Sequence, residues 1–482
     1  MQFDTAESVQ ATKRTVVVVG GGPGGSTAAA LLARNGVDVL LLERDTFPRY
    51  HIGESLAASC QVIMNLSGAL SEVESFGFPV KRGALLRWGN EEDWTVDWSQ
   101  LFGPDVSSWQ VDRDDFDHIL LRNAEKQGAE VIQEATVKKV LFDGERAVGV
   151  EWVHNETPDE VITTPCDFVI DASGRGGVLT KQHFRNRVPH DIFRNVAIWG
   201  YWDGGTRLPG TPEGGINVVS SADGWYWVIP LRNNQTSVGF VTHQDNFLKR
   251  RKSFATTEEM LHALVEESPT VQELVKDARY YAPVRVEQDF SYVSEKFSGP
   301  GYFIAGDAAC FLDPLLSTGV HLAMYSAMLS SAAIMSIRAK EVTEEQALAF
   351  YESLYHHAYA RLLVLVSGVY EQYKGKKTYF WLAQRLTGED SEQAEPRALN
   401  SAFGGLTSGL SDLRDAGDNV GWSARKVLVE EAKIAKQRAE EQSSEGGKKG
   451  ISAFRLEPTD LYDAATGLHL VTSPRLGLQH GG

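Results

Sequence analysis

The chain has no excess of basic charge, few cysteines and no long apolar run. Its 47 Lys and Arg face 64 Asp and Glu, a net charge of −17. Duplex nucleic-acid binders show basic clustering, so that class is set aside, although a local basic patch could still serve an acidic partner protein. Cys60, Cys166 and Cys310 stand far apart, without a CxxC pair or zinc spacing. This excludes a disulfide framework and a cysteine-based metal site, and it reads as a reducing, cytoplasmic setting with buried or incidental thiols. The opening MQFDTAESVQATKR is polar and acidic, so no signal peptide is read. No apolar run approaches the ~20 residues of a membrane helix, so no membrane partner is expected.

What is present is an ordinary globular balance: 482 residues, 42% hydrophobic and 23% charged. The length suits two or three domain-sized units. Residues 1–14 read as a flexible tail. Thr15–Val19 is a β-branched buried strand, followed by glycines, a helix ending near Gly36 and a second strand at Val37–Leu42. That is a βαβ start with a parallel sheet. A Trp-rich stretch over 76–110 reads as a substrate-side insertion, Arg113–Gly128 as an amphipathic helix, and Val131–Trp152 as a hairpin turned at Asp143-Gly144.

Alternating segments at 194–242 predict an antiparallel sheet, and Tyr302–Ala305 returns to the first domain. Val320–Lys340 and Thr343–Gln384 carry long apolar stripes. The expected division is 15–190 with 280–345 for the nucleotide domain, and 191–279 for the antiparallel domain. A helical region then spans 346–482, with a disordered loop at 443–450.

Gly20-Gly-Gly-Pro-Gly-Gly25 fits G-x-G-x-x-G between a strand and a helix, and Glu43 ends the next strand. Glycines at 20, 22 and 25, with Ser26, permit a close backbone approach to a pyrophosphate; Glu43 can accept from an adenosine ribose. The ordinary alternative is a structural glycine turn. Further along come Val111-Asp-Arg113, Phe168-Val-Ile-Asp-Ala-Ser-Gly174 and Tyr302-Phe-Ile-Ala-Gly-Asp307. Two other motifs carry chemistry. Trp225-Tyr-Trp-Val-Ile-Pro230 places Trp225 and Trp227 on one face of a strand. Its ordinary alternative is a Trp-rich core strand. Phe311, Pro314, Ser317 and Gly319 form F-x-x-P-x-x-S-x-G, whose Thr318 and Gly319 N–H groups could hold a small anion. A plain helix N-cap by Ser317 or Thr318 is compatible with that. Lys81 lies in Phe76-Gly-Phe-Pro-Val-Lys-Arg-Gly83, before Trp88-Gly89. An average lysine is a solvated surface charge. His51, His321 and the His356-His357 pair read as ordinary core or surface groups, and no metal site is supported.

In this order, the segments resemble the aromatic-hydroxylase-like flavoproteins, and among them the FADH2-dependent halogenases of the phenol and pyrrole type. Those of glycopeptide, chondrochloren and enediyne biosynthesis are especially similar at His51–Ser55 and Phe76–Gly89. The resemblance covers roughly Thr15 to Gln384. It implies an α/β Rossmann-type FAD fold with an antiparallel substrate sheet and a helical C-terminal part. Gly20, Gly22, Gly25, Ser26, Glu43, Arg113, Asp307 and Gly319 would hold FAD.

It also implies a reaction. A separate flavin reductase supplies reduced FAD, and O2 forms the C4a-hydroperoxide. Chloride or bromide, held at Thr318 and Gly319, is oxidised to hypohalous acid, which Lys81 delivers to an aromatic substrate. Trp225, Trp227, Ile229 and Pro230 would wall the flavin from that substrate. Whether Lys81 acts as an ammonium or as a chloramine stays open. Tryptophan halogenases carry a glutamate where this chain has Leu316, which favours a phenol or pyrrole. The expected substrate is a tyrosyl-type phenol tethered to a carrier protein, with 395–482 as a lid. The alternatives are an FAD-dependent aromatic hydroxylase and, from another class, a non-catalytic flavoprotein.

Overall fold

The computed structural model describes residues 9–88, 93–281, 283–373, 404, 407–414 and 461–481. Two mixed sheets organise them. The first runs Ser298–Gly299, Tyr302–Ile304, Ile162–Asp171, Arg14–Val19, Val39–Leu42, Glu130–Ile132. Its central strands are parallel, with Val16–Val19 aligned on Val39–Leu42 and on 168–171. Both faces are covered, so Val16, Val17 and Val18 are wholly buried. The Ala135–Asp143/Arg146–His154 hairpin folds against Ile162–Asp171. The expected tail is shorter than residues 1–14: Val9–Gln10 pairs in parallel with Ile162–Thr163, because that strand edge has open backbone groups.

The second sheet runs Cys310–Phe311, Arg285–Ser294, Arg187–Asp203, Gln235–His243, Gly224–Pro230, Ile216–Ser220, Gly83–Arg87, Trp94–Asp97. It does not stop at the expected borders of 191 and 279. Arg187–Asp203 pairs with Arg285–Ser294, and the 83–97 hairpin joins the opposite edge in parallel with Ile216–Ser220. Side-chain alternation gives the sheet two apolar faces. Ala197, Trp199, Val218, Trp225, Trp227 and Ile229 join the core shared with the first sheet. Ile198, Trp202, Tyr226 and Val228 pack under Thr257–Glu267 and Pro269–Val275.

Gly319–Ala339 is long and apolar enough to cross a membrane by length and composition, which a search for unbroken apolar runs missed. The helix is 89% buried inside the protein, packed on Pro23–Ala33 and on Glu344–Tyr373. The C-terminal region is not wholly helical. Tyr462–Asp463, Leu468–Val471 and Gly477–His480 form an antiparallel sheet, fixed to the long helix where Leu478 N–H donates to Ser336 Oγ at 2.7 Å. Leu468, Leu470 and Leu478 are its buried face. Residues 374–403 and 443–450 lie outside the described residues, and with them the loop expected at 443–450.

Candidate active site

The glycine turn follows from backbone necessity. Gly20 has φ +101°, and a Cβ on Gly25 would lie 1.9 Å from the Gly20 carbonyl oxygen. Only glycine at 25 lets the helix start against the strand. The Ser26 hydroxyl donates to Gly21 O at 2.7 Å. A Cβ on Gly22 would meet only the Arg49 guanidinium, at 3.6 Å. The turn is therefore open there and has a cation beside it, which fits a pyrophosphate. Buried Glu43 accepts from Gly21 N–H at 2.5 Å and from Asp45 N–H at 2.8 Å. Two oxygens with two lone pairs each leave it capacity for a ribose hydroxyl.

Arg113 turns inward. It forms a two-point ion pair with Asp117 at 2.8 and 2.9 Å and donates to Ile52 O at 2.6 Å. In the structure it therefore clamps the His51–Gly53 segment. Burial lifts the Asp307 carboxyl above its ordinary range, outweighing Arg175, Arg113 and Arg187. Arg175 lies 4.0 Å away.

Val80–Lys81 pairs with Ser108–Trp109, and alternation sends neighbouring side chains opposite ways. Arg82 points outward to Glu213 and Pro104 O. Lys81 points inward and is 3% exposed. Its Nζ donates to Leu56 O at 2.8 Å and stands 4.8 Å from the centroid of the Trp98 ring. Burial pushes the ammonium down to about 7, against a weaker opposing pull from Cys60. Trp98 was not singled out in the sequence. Its signal was Asp97, which caps the Trp98–Phe102 helix by accepting from Ser99 N–H.

Trp225 and Trp227 share a face, with ring centroids 6.1 Å apart, and Trp199 lies 6.1 Å from Trp227. The Trp227 indole donates to Ser237 Oγ at 3.1 Å. A Cβ on Gly239, opposite Trp227, would fall 2.1 Å from its ring, so glycine makes room for the indole. Ile229 joins the same core, and Pro230 closes the strand opposite Thr236.

Beside them is a network that sequence reasoning missed. Tyr201 O–H donates to Glu54 Oε1 at 2.7 Å, Tyr50 and Tyr201 hydroxyls are 2.7 Å apart, and the Trp199 indole donates to Tyr50 at 2.8 Å. Burial pushes the Glu54 carboxyl up to about 7, with Ser237 and Tyr201 holding it back. Its signal was its place in His51-Ile-Gly-Glu-Ser55, which was read only as a likeness.

In the anion motif, Phe311 sits under the Arg175 guanidinium, 4.4 Å from the ring centroid. Pro314–Leu316 is a single 3-10 turn capped by Asp313, and Ser317 adopts φ +57°. The 21-residue helix opens at Gly319. Thr318 stands at its cap position without a side-chain cap bond, so the plain N-cap alternative is not what is seen. A Cβ on Gly319 would meet nothing within 4 Å. Gly319 is exposed and Thr318 beside it is buried, at the positive end of a long helix.

Glycine turn, Glu43 and parallel sheet define a dinucleotide-binding fold, and residues 15–192 match the FAD dependent oxidoreductase family. Residues 105–413 match the tryptophan halogenase family. The tryptophan 2-halogenase of Chondromyces crocatus is 40% identical over 483 residues, spanning 93% of this chain and 90% of that protein. A flavin-dependent halogenase of Armillaria mellea is 35% identical, over 81% of this chain and 79% of that one. Among solved structures, the myxobacterial chondrochloren halogenase has a TM-score of 0.71 at 34% identity, covering 88% of this chain and 97% of that one. The chain belongs to the flavin-dependent halogenases. It is an FAD enzyme of the type that halogenates aromatic substrates.

Proposed function

We propose that this enzyme chlorinates or brominates a phenolic, tyrosyl-type substrate, with Lys81 delivering the hypohalous acid. The observation that carries the reading is the burial of Lys81 between Leu56 O and the Trp98 ring. Bound reduced FAD, with O2 and halide, supplies the hypohalous acid. The chain's own residues do the rest. Thr318 and Gly319 N–H groups hold the halide without a fixed cation, so it can leave. Trp225 and Trp227, with Ile229 and Pro230, separate the cofactor from the substrate and exclude water. Lys81 donates a hydrogen bond to the oxidant as an ammonium or is halogenated as a free amine. With its titration near 7, both forms are populated at neutral pH. Electrophilic substitution then takes Ar–H and HOCl to Ar–Cl and water.

Buried Leu316 supports a phenol. No carboxylate stands there to orient the oxidant, so the ring must be electron-rich by itself. The relative from Chondromyces bears tryptophan in its name, and free tryptophan is therefore one arm of the test. We further propose a separate reductase as the source of reduced FAD, a carrier protein as bearer of the substrate, and a cytoplasmic setting for the three free, buried thiols. The test is mass spectrometry of turnover with reduced FAD, O2, halide and a panel of free and carrier-tethered phenols. A halogen isotope pattern with wild type, lost in Lys81→Ala while flavin oxidation continues, is expected. A gain of one oxygen instead would overturn halogenation in favour of hydroxylation.

A further inference from the structure

Four buried side chains lie in one hydrogen-bonded line. The Ser59 hydroxyl is 2.8 Å from His321 Nδ1, His321 Nε2 is 2.8 Å from Asp412 Oδ2, and Arg361 pairs with Asp412 Oδ1. A carboxylate only accepts, so Nε2 carries a proton toward Asp412, and Nδ1 faces the Ser59 hydroxyl. Burial alone would raise the Asp412 carboxyl, but Arg361 and then His321 outweigh it and hold it below the usual range. The order Ser–His–Asp matches that of hydrolases. Ser59 and His321 are 0% exposed, so no substrate reaches the serine.

The ends of the line tell more. His321 sits in the first turn of the helix that opens at Gly319, and Leu322 N–H donates to Thr318 O at 3.0 Å. Ser59 opens the helix Ser59–Ser67, three residues after Leu56, whose carbonyl holds Lys81. Ala57 O accepts from Ser108, which pairs with Lys81 across the two-stranded sheet. Ser59 N–H donates to Ser408 O at 2.9 Å. Next to it, Gly409 has φ +70°, and a Cβ there would lie 2.8 Å from His321 Nδ1 and closer still to Ser59.

We infer that His321 is a positioning residue: through Ser59 and Asp412 it fixes the halide turn at Thr318-Gly319 relative to the Leu56 carbonyl that orients Lys81. The inference rests on the roles proposed above for Lys81 and for the turn. It assigns to the 408–412 segment a part in halogenation that makes no contact with the reacting atoms. Displacement of a reacting group by about 1 Å can cost about a hundredfold in rate, so a bridge between the two halves of the site sets how much oxidant becomes product.

The experiment uses the full chain with reduced FAD from an added reductase, O2 and bromide. It reads halogenated product per flavin oxidised and the apparent KM for bromide. In His321→Ala, product per flavin should fall and bromide KM should rise, each by about tenfold. His321→Asn keeps a polar atom within reach of Ser59 and should recover part of both. Ser59→Ala removes one oxygen and frees only the lysine side. It should lower product per flavin while bromide KM stays within about twofold of wild type. Unchanged product per flavin and bromide KM in His321→Ala overturn the inference. Should that variant fail to fold, an unchanged Ser59→Ala does the same. The underlying reading fails separately: wild type would yield no halogenated product, or Lys81→Ala would retain it.

Discussion

Lys81 gives the sharpest physical prediction. Its ammonium has an ordinary value of 10.5 and is held at about 7 by burial. The folded chain releases this proton near pH 7, whereas the unfolded chain keeps it to about 10.5. Between those values the unfolded state binds one proton more, so stability rises with pH by about 1.4 kcal/mol per unit. The full effect is on the order of 5 kcal/mol. It is a penalty at pH 6 and below, where both states are charged, and it has vanished near pH 10.5. Lys81→Met fills similar space without the charge. Paired urea titrations of wild type and Lys81→Met should therefore show wild type gaining about 2 kcal/mol on the variant between pH 7 and pH 9. The variant should be the more stable protein at pH 7. A stability gap flat across that range would mean that Lys81 stays charged throughout, and the argument from burial would be refuted. The same titration fixes the fraction of neutral amine available for halogenation at each pH.

Glu54 has the opposite sign. Its folded value is raised from 4.5 to about 7, so the folded state binds the extra proton and wild-type stability falls as pH rises through that window. Against Glu54→Gln the change should be about 3 kcal/mol between pH 4 and pH 8, and a constant gap in urea titrations would sink it. Trp227→Ala should cost about 3–5 kcal/mol from the cavity left and raise the share of oxygenated over halogenated product seen by mass spectrometry. Gly25→Ala should abolish FAD binding by absorbance and fluorescence, because its Cβ would collide with the Gly20 carbonyl. Removing residues 443–482 to test a lid would also strip buried Leu461, Leu468, Leu470, Leu476 and Leu478. We expect that truncation to lower the melting temperature.

Strong local patterns were legible in the chain. The β-branched run at 15–19 before five near-continuous glycines reads directly as strand and turn, and i, i+2 spacing puts Trp225 and Trp227 on one face. Lys81 could be singled out by its segment, but its burial could not. That comes from Leu56, Cys60 and Trp98, brought in from two other elements. Non-local pairing also explains the misplaced borders. Nothing in Gly83–Arg87 announces that it lies beside Ile216–Ser220, and the alternation in Leu468–Val471 is too short to stand out against long helical stripes. His321 looked ordinary because its partners, Ser59 and Asp412, are 262 and 91 residues away.

An enzyme that handles hypohalous acid is exposed to its own oxidant, and sulfur is the most readily attacked element in a protein. All three cysteines here are buried, and burial pushes each thiol up to about 12, where the reactive thiolate is scarce. Of the six methionines, Met64, Met260, Met324, Met328 and Met335 are also buried, at no more than 5% exposure. Oxidant that escapes the Lys81 site therefore meets almost no accessible sulfur among the described residues. The same packing that builds the core should lengthen the working life of the catalyst, counted in turnovers before self-inactivation.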